Sequence, residues 1–213
     1  MKKNELGEII LPAMIETEDS KATLSLPNPS LLTYYKNLEN RVFWMDCTID
    51  EDIFEVSRNI IDINRQDKDI PIEQRRPIKL MIYSYGGDGQ ACFSLLDTIL
   101  LSKTPVYTIN MGVAMSAGLI LLLSGVKRFC VKRSTALIHS GSGGTSGTYE
   151  QTEAQMKDYQ RFVKEMREFI LERTKIDNKL LTKNKNKEWY IYAADQKELG
   201  IVDEIIEDID ILL

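Results

Sequence analysis

One polar side chain stands out in the apolar stretch GVAMSAGLILLLSG, which spans residues 112–125. Ser116 lies between Met115 and Ala117, near the point where a helix is expected to begin. A small polar residue at such a position is ordinarily satisfied by a backbone carbonyl. Serine is also a nucleophile when a base lies beside it. Other parts of the chain must decide between these two interpretations.

Acyl transfer by serine needs a base, a group that orients the base, and donors for the oxyanion. The single histidine of the chain, His139, ends the predicted strand TALIHS and is followed by a glycine-rich segment. Catalytic groups collect at strand ends in parallel α/β sheets. A lone histidine is more often structural, yet this one closes the βα unit directly after that of Ser116. The order of these units favours a catalytic pair.

Backbone amides are the candidate oxyanion donors. Gly86 and Gly87, in SYGGDG, lie at the strand-to-helix turn that precedes the turn of Ser116. Glycine lets a backbone N–H point into a site without an obstructing Cβ. The N–H of Ala117 is a second candidate, since a helix N-terminus also carries partial positive charge.

An alternation of strands and helices begins after Pro77 and predicts a largely parallel, helix-covered sheet. The predicted strands are 41–45, 78–84, 105–111, 128–131, 135–140 and 201–206. The predicted helices are a short one after residue 30, 50–64, 88–102, the apolar helix that carries Ser116, 148–175, and a short one closed by Gly200. The segment 141–147 is expected to be flexible or an edge strand.

The helix expected over 148–175 carries two apolar rows. Its main row steps by three or four residues, and a second row of phenylalanines runs beside it. The main row is Met156, Tyr159, Val163, Met166 and Ile170. A helix with two apolar rows needs more than one neighbour, either within the monomer or in an oligomer.

Composition limits the classes of function. At 213 residues the chain suits one α/β domain, and its net charge of −5 argues against nucleic acid as a main partner. The three cysteines lie far apart, which is typical of reduced, cytoplasmic proteins and, with one histidine, argues against a zinc site. The N-terminus lacks a secretory signal, and the apolar run 112–124 is shorter than the roughly 20 residues that span a bilayer. A soluble protein is expected, with residues 1–30 forming an arm ahead of a single domain at 31–213.

The motifs resemble those of the proteolytic subunit of the Clp protease, the ClpP family. YSYGG (83–87) matches a strand that ends in S-P-G-G, GVAMSAG (112–118) matches G-x-A-A-S-M-(A/G), and LIHSG (137–141) matches M-I-H-Q-P. GVKRFC matches the family's G-K-R-(F/Y) motif before the histidine strand, and LGIVD (199–203) matches its tail motif Y-G-L-(V/I)-D. The resemblance covers roughly residues 32–207.

The resemblance implies a ClpP/crotonase-like spiral of βαβ units with a long handle helix at about 148–175. It makes Ser116 the nucleophile, His139 the general base, and Gly87 and Ala117 the oxyanion donors. The aspartate that completes the family's triad corresponds here to Glu188, whose extra methylene must be accommodated. Asp177, Asp195 and a bare Ser-His dyad remain as alternatives to Glu188.

The resemblance also implies a chamber of stacked rings, two heptamers, in which polypeptides are cleaved without a metal or organic cofactor. A separate Clp-type ATPase would unfold folded substrates, although residues 1–30 match the family's axial loops poorly apart from ILPAMIE. Tyr85, where the family has proline, and Ser140-Gly141, where it has Gln-Pro, leave the substrate preference open.

Three other functions are consistent with parts of this pattern. The altered third residue suits a catalytically weak or silent ring subunit. A phage head-maturation protease would share the related fold. A CoA-dependent hydratase of the crotonase type would share the spiral, but it needs no paired Ser116 and His139.

Overall fold

The computed structural model describes residues 2–3, 9–10 and 29–212. By its internal contacts the chain divides into two units, residues 1–35 and 36–213. Most of the arm expected over residues 1–30 lies outside the described residues. In the first unit, β1 (Lys2–Lys3) and β2 (Ile9–Ile10) form a two-stranded antiparallel sheet.

The helices of the described part are α1 (Pro29–Glu39), α2 (Phe54–Gln66), α3 (Gly89–Leu101), α4 (Ala117–Ser124), α5 (Tyr149–Arg173), α6 (Asn178–Asn184) and α7 (Ala193–Glu198). The remaining strands are β3 (Val42–Met45), β4 (Ile78–Ser84), β5 (Val106–Met115), β6 (Lys127–Val131), β7 (Thr135–Ile138), β8 (Trp189–Tyr192) and β9 (Glu204–Ile206). Short 3₁₀ turns occur at Glu51–Ile53, Ile72–Gln74 and Ile209–Leu212.

The second unit is built on a seven-stranded sheet in the order β3-β4-β5-β6-β9, with β7 joined to β5 and β8 joined to β7. Every strand pair in it is parallel except β7 with β8. The mixed α/β fold with a mainly parallel sheet, expected from the sequence, is confirmed. The long strand β5 pairs with β6 through residues 107–110 and with β7 through residues 113–115. One strand therefore connects two parts of the sheet and carries the chain to Ser116.

Helix α4 lies at the centre of the core, and all eight of its residues are buried. Because it has no solvent-facing side, the sequence AGLILLLS is apolar all round instead of striped. Its C-terminal carbonyls are satisfied from α5: the Arg173 guanidinium donates to Leu123 O (3.0 Å) and to Gly125 O (2.7 Å). A helix end buried in this way needs such donors.

Several elements differ from the sequence-based expectations. Strand β5 runs on to Met115, and Ser116 caps α4 instead of lying within it. The segment 139–148 contains neither strand nor helix, although an edge strand was one expectation for part of it. Helix α6 and strand β8 were not predicted, even though WYIY has the alternating apolar and aromatic character of a strand. Helix α5 matches the predicted 148–175 closely.

Among the described residues, no helix combines the length and the apolar character that crossing a bilayer requires.

A buried ion pair ties strands and helix together at the amino-terminal edge of the sheet. Arg41, just before β3, donates twice to the carboxylate of Asp67, each time at 2.7 Å, and Thr104 Oγ1 donates to the same carboxylate at 2.9 Å. The Asp67 side chain is 1% exposed and that of Arg41 is 15% exposed. The hydrogen bond from Arg41 lowers the pKa of Asp67, against the raising effect of burial.

We expect Asp67→Asn to lower the free energy of unfolding at pH 7 by about 3 kcal/mol or more, because it leaves the Arg41 charge unpaired. The exposed variant Asp62→Asn, which removes an ion pair with Arg65, is the control and should cost well under about 1 kcal/mol. Urea unfolding followed by circular dichroism measures both.

The same measurement against pH tests the electrostatic origin of this loss. A depressed folded pKa contributes stability that is complete above the unfolded carboxyl value, near 4, and disappears as the pH falls through the folded pKa. The difference between wild type and Asp67→Asn should therefore shrink below about pH 4. A difference that stays constant down to the acid limit would contradict the ion-pair explanation.

Candidate active site

Ser116 occupies the junction between β5 and α4 with φ 53° and ψ −123°. This is an uncommon backbone conformation for a residue other than glycine, with a strain of about 1–3 kcal/mol. A nucleophilic serine at the strained turn between a strand and a helix has its hydroxyl raised above the sheet. The backbone N–H of Ser116 donates to Leu137 O of β7 at 3.1 Å, which fixes the turn against the neighbouring strand.

His139 follows the last residue of β7 and is partly buried. Its Nε2 lies 2.8 Å from Ser116 Oγ. Strands β5 and β7 are parallel, with Ala114 opposite Ala136 and Met115 opposite Leu137, so their carboxyl ends meet at one edge of the sheet. The structure therefore brings together the two residues that the sequence singles out, within hydrogen-bond distance.

The glycine turn after β4 lies beside them. Ile49 clamps this turn on both sides: its N–H donates to Gly86 O at 3.0 Å, and its carbonyl accepts from Asp88 N at 2.7 Å. The amide of Gly87, between these two bonds, has no acceptor in the part of the chain that the structure describes. Gly87 and Ala117 line the same cavity as Ser116 and His139.

That cavity has a volume of about 690 Å³ and extends from the Ser116–His139 pair to helix α5. Four apolar side chains of α5 form one wall: Phe162, Val163, Met166 and Ile170. The lining also carries charges of both signs, from the cations Arg167 and Lys185 and the carboxylates Asp88 and Asp158. The Ser140 hydroxyl donates to the Lys185 carbonyl and so joins the loop after α6 to the segment that carries His139. The α5 wall and these cations were not identified from the sequence as parts of the site.

A buried thiol lies under the start of α4 but does not compete as a nucleophile. Cys92 donates through Sγ to Ala117 O at 3.4 Å and is fully buried. Burial, with a smaller effect of the Asp88 charge, raises the pKa of Cys92 to about 12. The thiol therefore stays protonated at neutral pH.

Glu188 directly precedes β8 and makes no hydrogen bond to His139 among the described residues. The antiparallel ladder ends with Ile138 paired to Trp189, so one further step of the same register would set Glu188 opposite His139. The exposed Glu188 carboxylate instead accepts a hydrogen bond from Tyr190 Oη at 2.6 Å. No hydrogen bond or ion pair joins a carboxylate to His139 among the described residues.

Asp177 and Asp195, the two alternatives to Glu188 as the third member of the triad, lie at helices α6 and α7. Asp177 caps α6 and accepts from Leu180 N at 2.7 Å, and Asp195 lies in the first turn of α7. Neither is hydrogen-bonded to His139 in the described part of the chain. Tyr190 was not considered in the sequence, and the available signal was the strand pattern of WYIY, which sets residues 188, 190 and 192 on one face.

Comparisons with known proteins identify the family of the chain. The model of the Clp protease family matches residues 34–209. The ATP-dependent Clp protease proteolytic subunit 2 of Treponema denticola is 33% identical over 135 residues, 62% of this chain and 68% of that protein. The subunit of the same name from Corynebacterium diphtheriae is 30% identical over 183 residues, 84% of this chain and 89% of that protein. With the family match extending over both Ser116 and His139, the chain belongs to the Clp protease family.

Proposed function

We propose that this chain hydrolyses peptide bonds with Ser116 as the nucleophile and His139 as the general base. As a member of the Clp protease family it is a serine peptidase subunit. The assignment of roles is supported above all by the 2.8 Å separation of Ser116 Oγ and His139 Nε2. This separation lies within the range over which a base removes the proton of a nucleophile.

In the first step, Ser116 Oγ attacks the scissile carbonyl carbon while its proton passes to His139 Nε2. The tetrahedral intermediate collapses as His139 gives this proton to the leaving amine, and an ester between Ser116 and the acyl fragment remains. Water, deprotonated by His139, then attacks the ester. The carboxylic acid leaves, and the proton returns to Ser116 Oγ.

The oxyanion of both intermediates is assigned to the amides of Gly87 and Ala117. The Gly87 N–H is free of protein acceptors in the described residues, and Ala117 begins α4, ahead of the first intrahelical hydrogen bonds. Both residues line the cavity beside Ser116, and the helix N-terminus adds partial positive charge there.

Glu188 is proposed as the acid that orients His139 and stabilises its charged form. The β7–β8 register, which would set Glu188 opposite His139 if it ran one step further, supports this choice over Asp177 and Asp195. The apolar wall of α5 suits an apolar substrate side chain next to the scissile bond.

The assembly proposed for this subunit is two stacked heptameric rings in the cytoplasm that receive polypeptides from a Clp-type ATPase. The relatives support an ATP-dependent protease built from subunits, since they are named as proteolytic subunits of ATP-dependent Clp proteases. Residues in the first turns of α5, among them Tyr149 and Met156, are exposed and suit contacts between subunits.

A catalytically silent ring subunit is the second candidate function. The observation that favours it is the hydrogen bond of Glu188 to Tyr190 in place of His139, because a triad without its acid loses most of its rate. Such a subunit would retain the fold and the assembly while a partner subunit cleaves.

Labelling with a fluorophosphonate probe distinguishes these two functions. We expect wild type to form a covalent adduct and Ser116→Ala and His139→Ala to form none, because the serine loses its oxygen or its base. Ser142→Ala is the control, since this serine lines the same cavity and should label as wild type does. A wild-type protein that forms rings but does not label would favour the silent subunit.

Replacing Glu188 tests whether it is the acid of the proposed Ser-His-acid triad. We expect Glu188→Ala to lower kcat for a fluorogenic peptide by about two to four orders of magnitude, as loss of the acid does in other serine triads. Glu188→Asp, which restores the carboxylate, should retain wild-type activity or exceed it. Unchanged turnover in Glu188→Ala would exclude Glu188 from the triad.

The glycine turn has its own test. A Cβ at Gly86 would lie 2.8 Å from Ser116 Cβ and 3.0 Å from Met115 O, and the φ of +104° is strained for alanine. We therefore expect Gly86→Ala to displace the nucleophile and slow labelling by about tenfold or more. Gly144→Ala is the matched control, because a Cβ there meets nothing within 4 Å. Equal labelling rates in the two variants would show that the close approach is unimportant.

A further inference from the structure

Tyr190 lies on the same face of β8 as Glu188, and its hydroxyl donates to Glu188 Oε2 at 2.6 Å. Both side chains are exposed, so the bond forms at the protein surface and not within the core. The hydrogen bond to Glu188 raises the pKa of Tyr190, so the phenol remains a donor at neutral pH. Among the described residues, strand β8 pairs with β7 alone, so this bond lies on an edge strand of that sheet.

Tyr190 Oη donates to the Glu188 carboxylate in this structure. In the proposed triad, the Nδ1 of His139 would be the donor to the same carboxylate. Directly opposite residues of an antiparallel ladder have Cα atoms about 4.5–5.5 Å apart and side chains on one face. The ladder ends at Ile138 and Trp189, and His139 and Glu188 are the next residues on either strand, so one further step of the same register would set them opposite each other. The three rotatable side-chain bonds of glutamate let its carboxylate take more than one direction from that position.

We propose that Tyr190 is a positioning residue that competes with His139 for the Glu188 carboxylate and so restrains the rate of catalysis. This inference rests on the proposed function, in which Glu188 orients His139. In the resting arrangement the site holds a Ser116–His139 pair, and the acid is bound to tyrosine. As His139 takes the proton from Ser116, its ring becomes a charged donor, and a charged donor binds a carboxylate more strongly than a neutral phenol does. Glu188 then leaves Tyr190 for His139, and the broken phenol hydrogen bond adds to the barrier.

The variant Tyr190→Phe removes the competing hydroxyl and keeps the ring. We expect it to raise kcat for a fluorogenic peptide, and the maximal labelling rate of a fluorophosphonate, by about threefold to tenfold. The KM and the probe's binding constant should not change, because the tyrosine hydroxyl affects the charged histidine and not substrate binding. Tyr192→Phe is the matched control: Tyr192 lies two residues further along the same face of β8 and is exposed.

The double variant Tyr190→Phe, Glu188→Gln separates this effect from a general change in the strand. If the Tyr190 hydroxyl acts through Glu188, the double variant should label at the same rate as Glu188→Gln alone. The faster labelling caused by Tyr190→Phe then disappears when the carboxylate is removed. A gain that persists without Glu188 would overturn the inference. An unchanged or lower kcat in Tyr190→Phe would overturn it too, with the lower value making Tyr190 a support for Glu188 instead of a competitor.

The failure of this inference is distinguishable from that of the proposed function. Wild type that labels at Ser116, with no gain in Tyr190→Phe, contradicts the competition alone. Rings that label in neither wild type nor Tyr190→Phe contradict both. Rings that label only in Tyr190→Phe support the competition and explain a silent wild type.

Discussion

The active-site geometry depends on the parallel pairing of β5 with β7. The hydrogen bond from Ser116 N to Leu137 O continues that pairing by one step beyond β5. It fixes Ser116 against the strand that ends just before His139. Because both strands run in the same direction, their next residues project from one edge of the sheet, and the 2.8 Å separation of Oγ and Nε2 follows. A change of one residue in this register would direct one of the two side chains away from the other.

The strained turn at Ser116 persists because the structure on both sides of it is rigid. Below it, α4 is buried along its whole length and is held at its far end by Arg173. Beside it, Gly86 approaches so closely that no side chain fits. At the opposite edge of the sheet, the Arg41–Asp67 pair joins the beginning of β3 to the end of α2. Strain at a functional residue is tolerated where the surrounding packing determines its position.

Glu188, the proposed acid of the site, has a different structural origin from the serine and the histidine. Those two residues follow central parallel strands, whereas Glu188 precedes β8, an edge strand that runs antiparallel to β7. Glu188 and Tyr190 are both exposed, so the observed conformation of the Glu188 carboxylate depends on a local hydrogen bond to Tyr190 and not on packing in the core.

The sequence by itself determined the family, the parallel α/β fold and the pairing of Ser116 with His139. These conclusions depend on local patterns: apolar strands, glycine turns, and polar residues directly after strands in consecutive βα units. The tertiary structure alone decided how far β5 extends, that Ser116 precedes α4, that α5 closes the cavity, and that β8 pairs antiparallel at an edge. It also decided that Tyr190 is the hydrogen-bond donor to the Glu188 carboxylate, because this bond depends on the strand register and on the conformation of the glutamate side chain. Neither is encoded in the spacing of residues along the chain, since each arises only when distant segments meet.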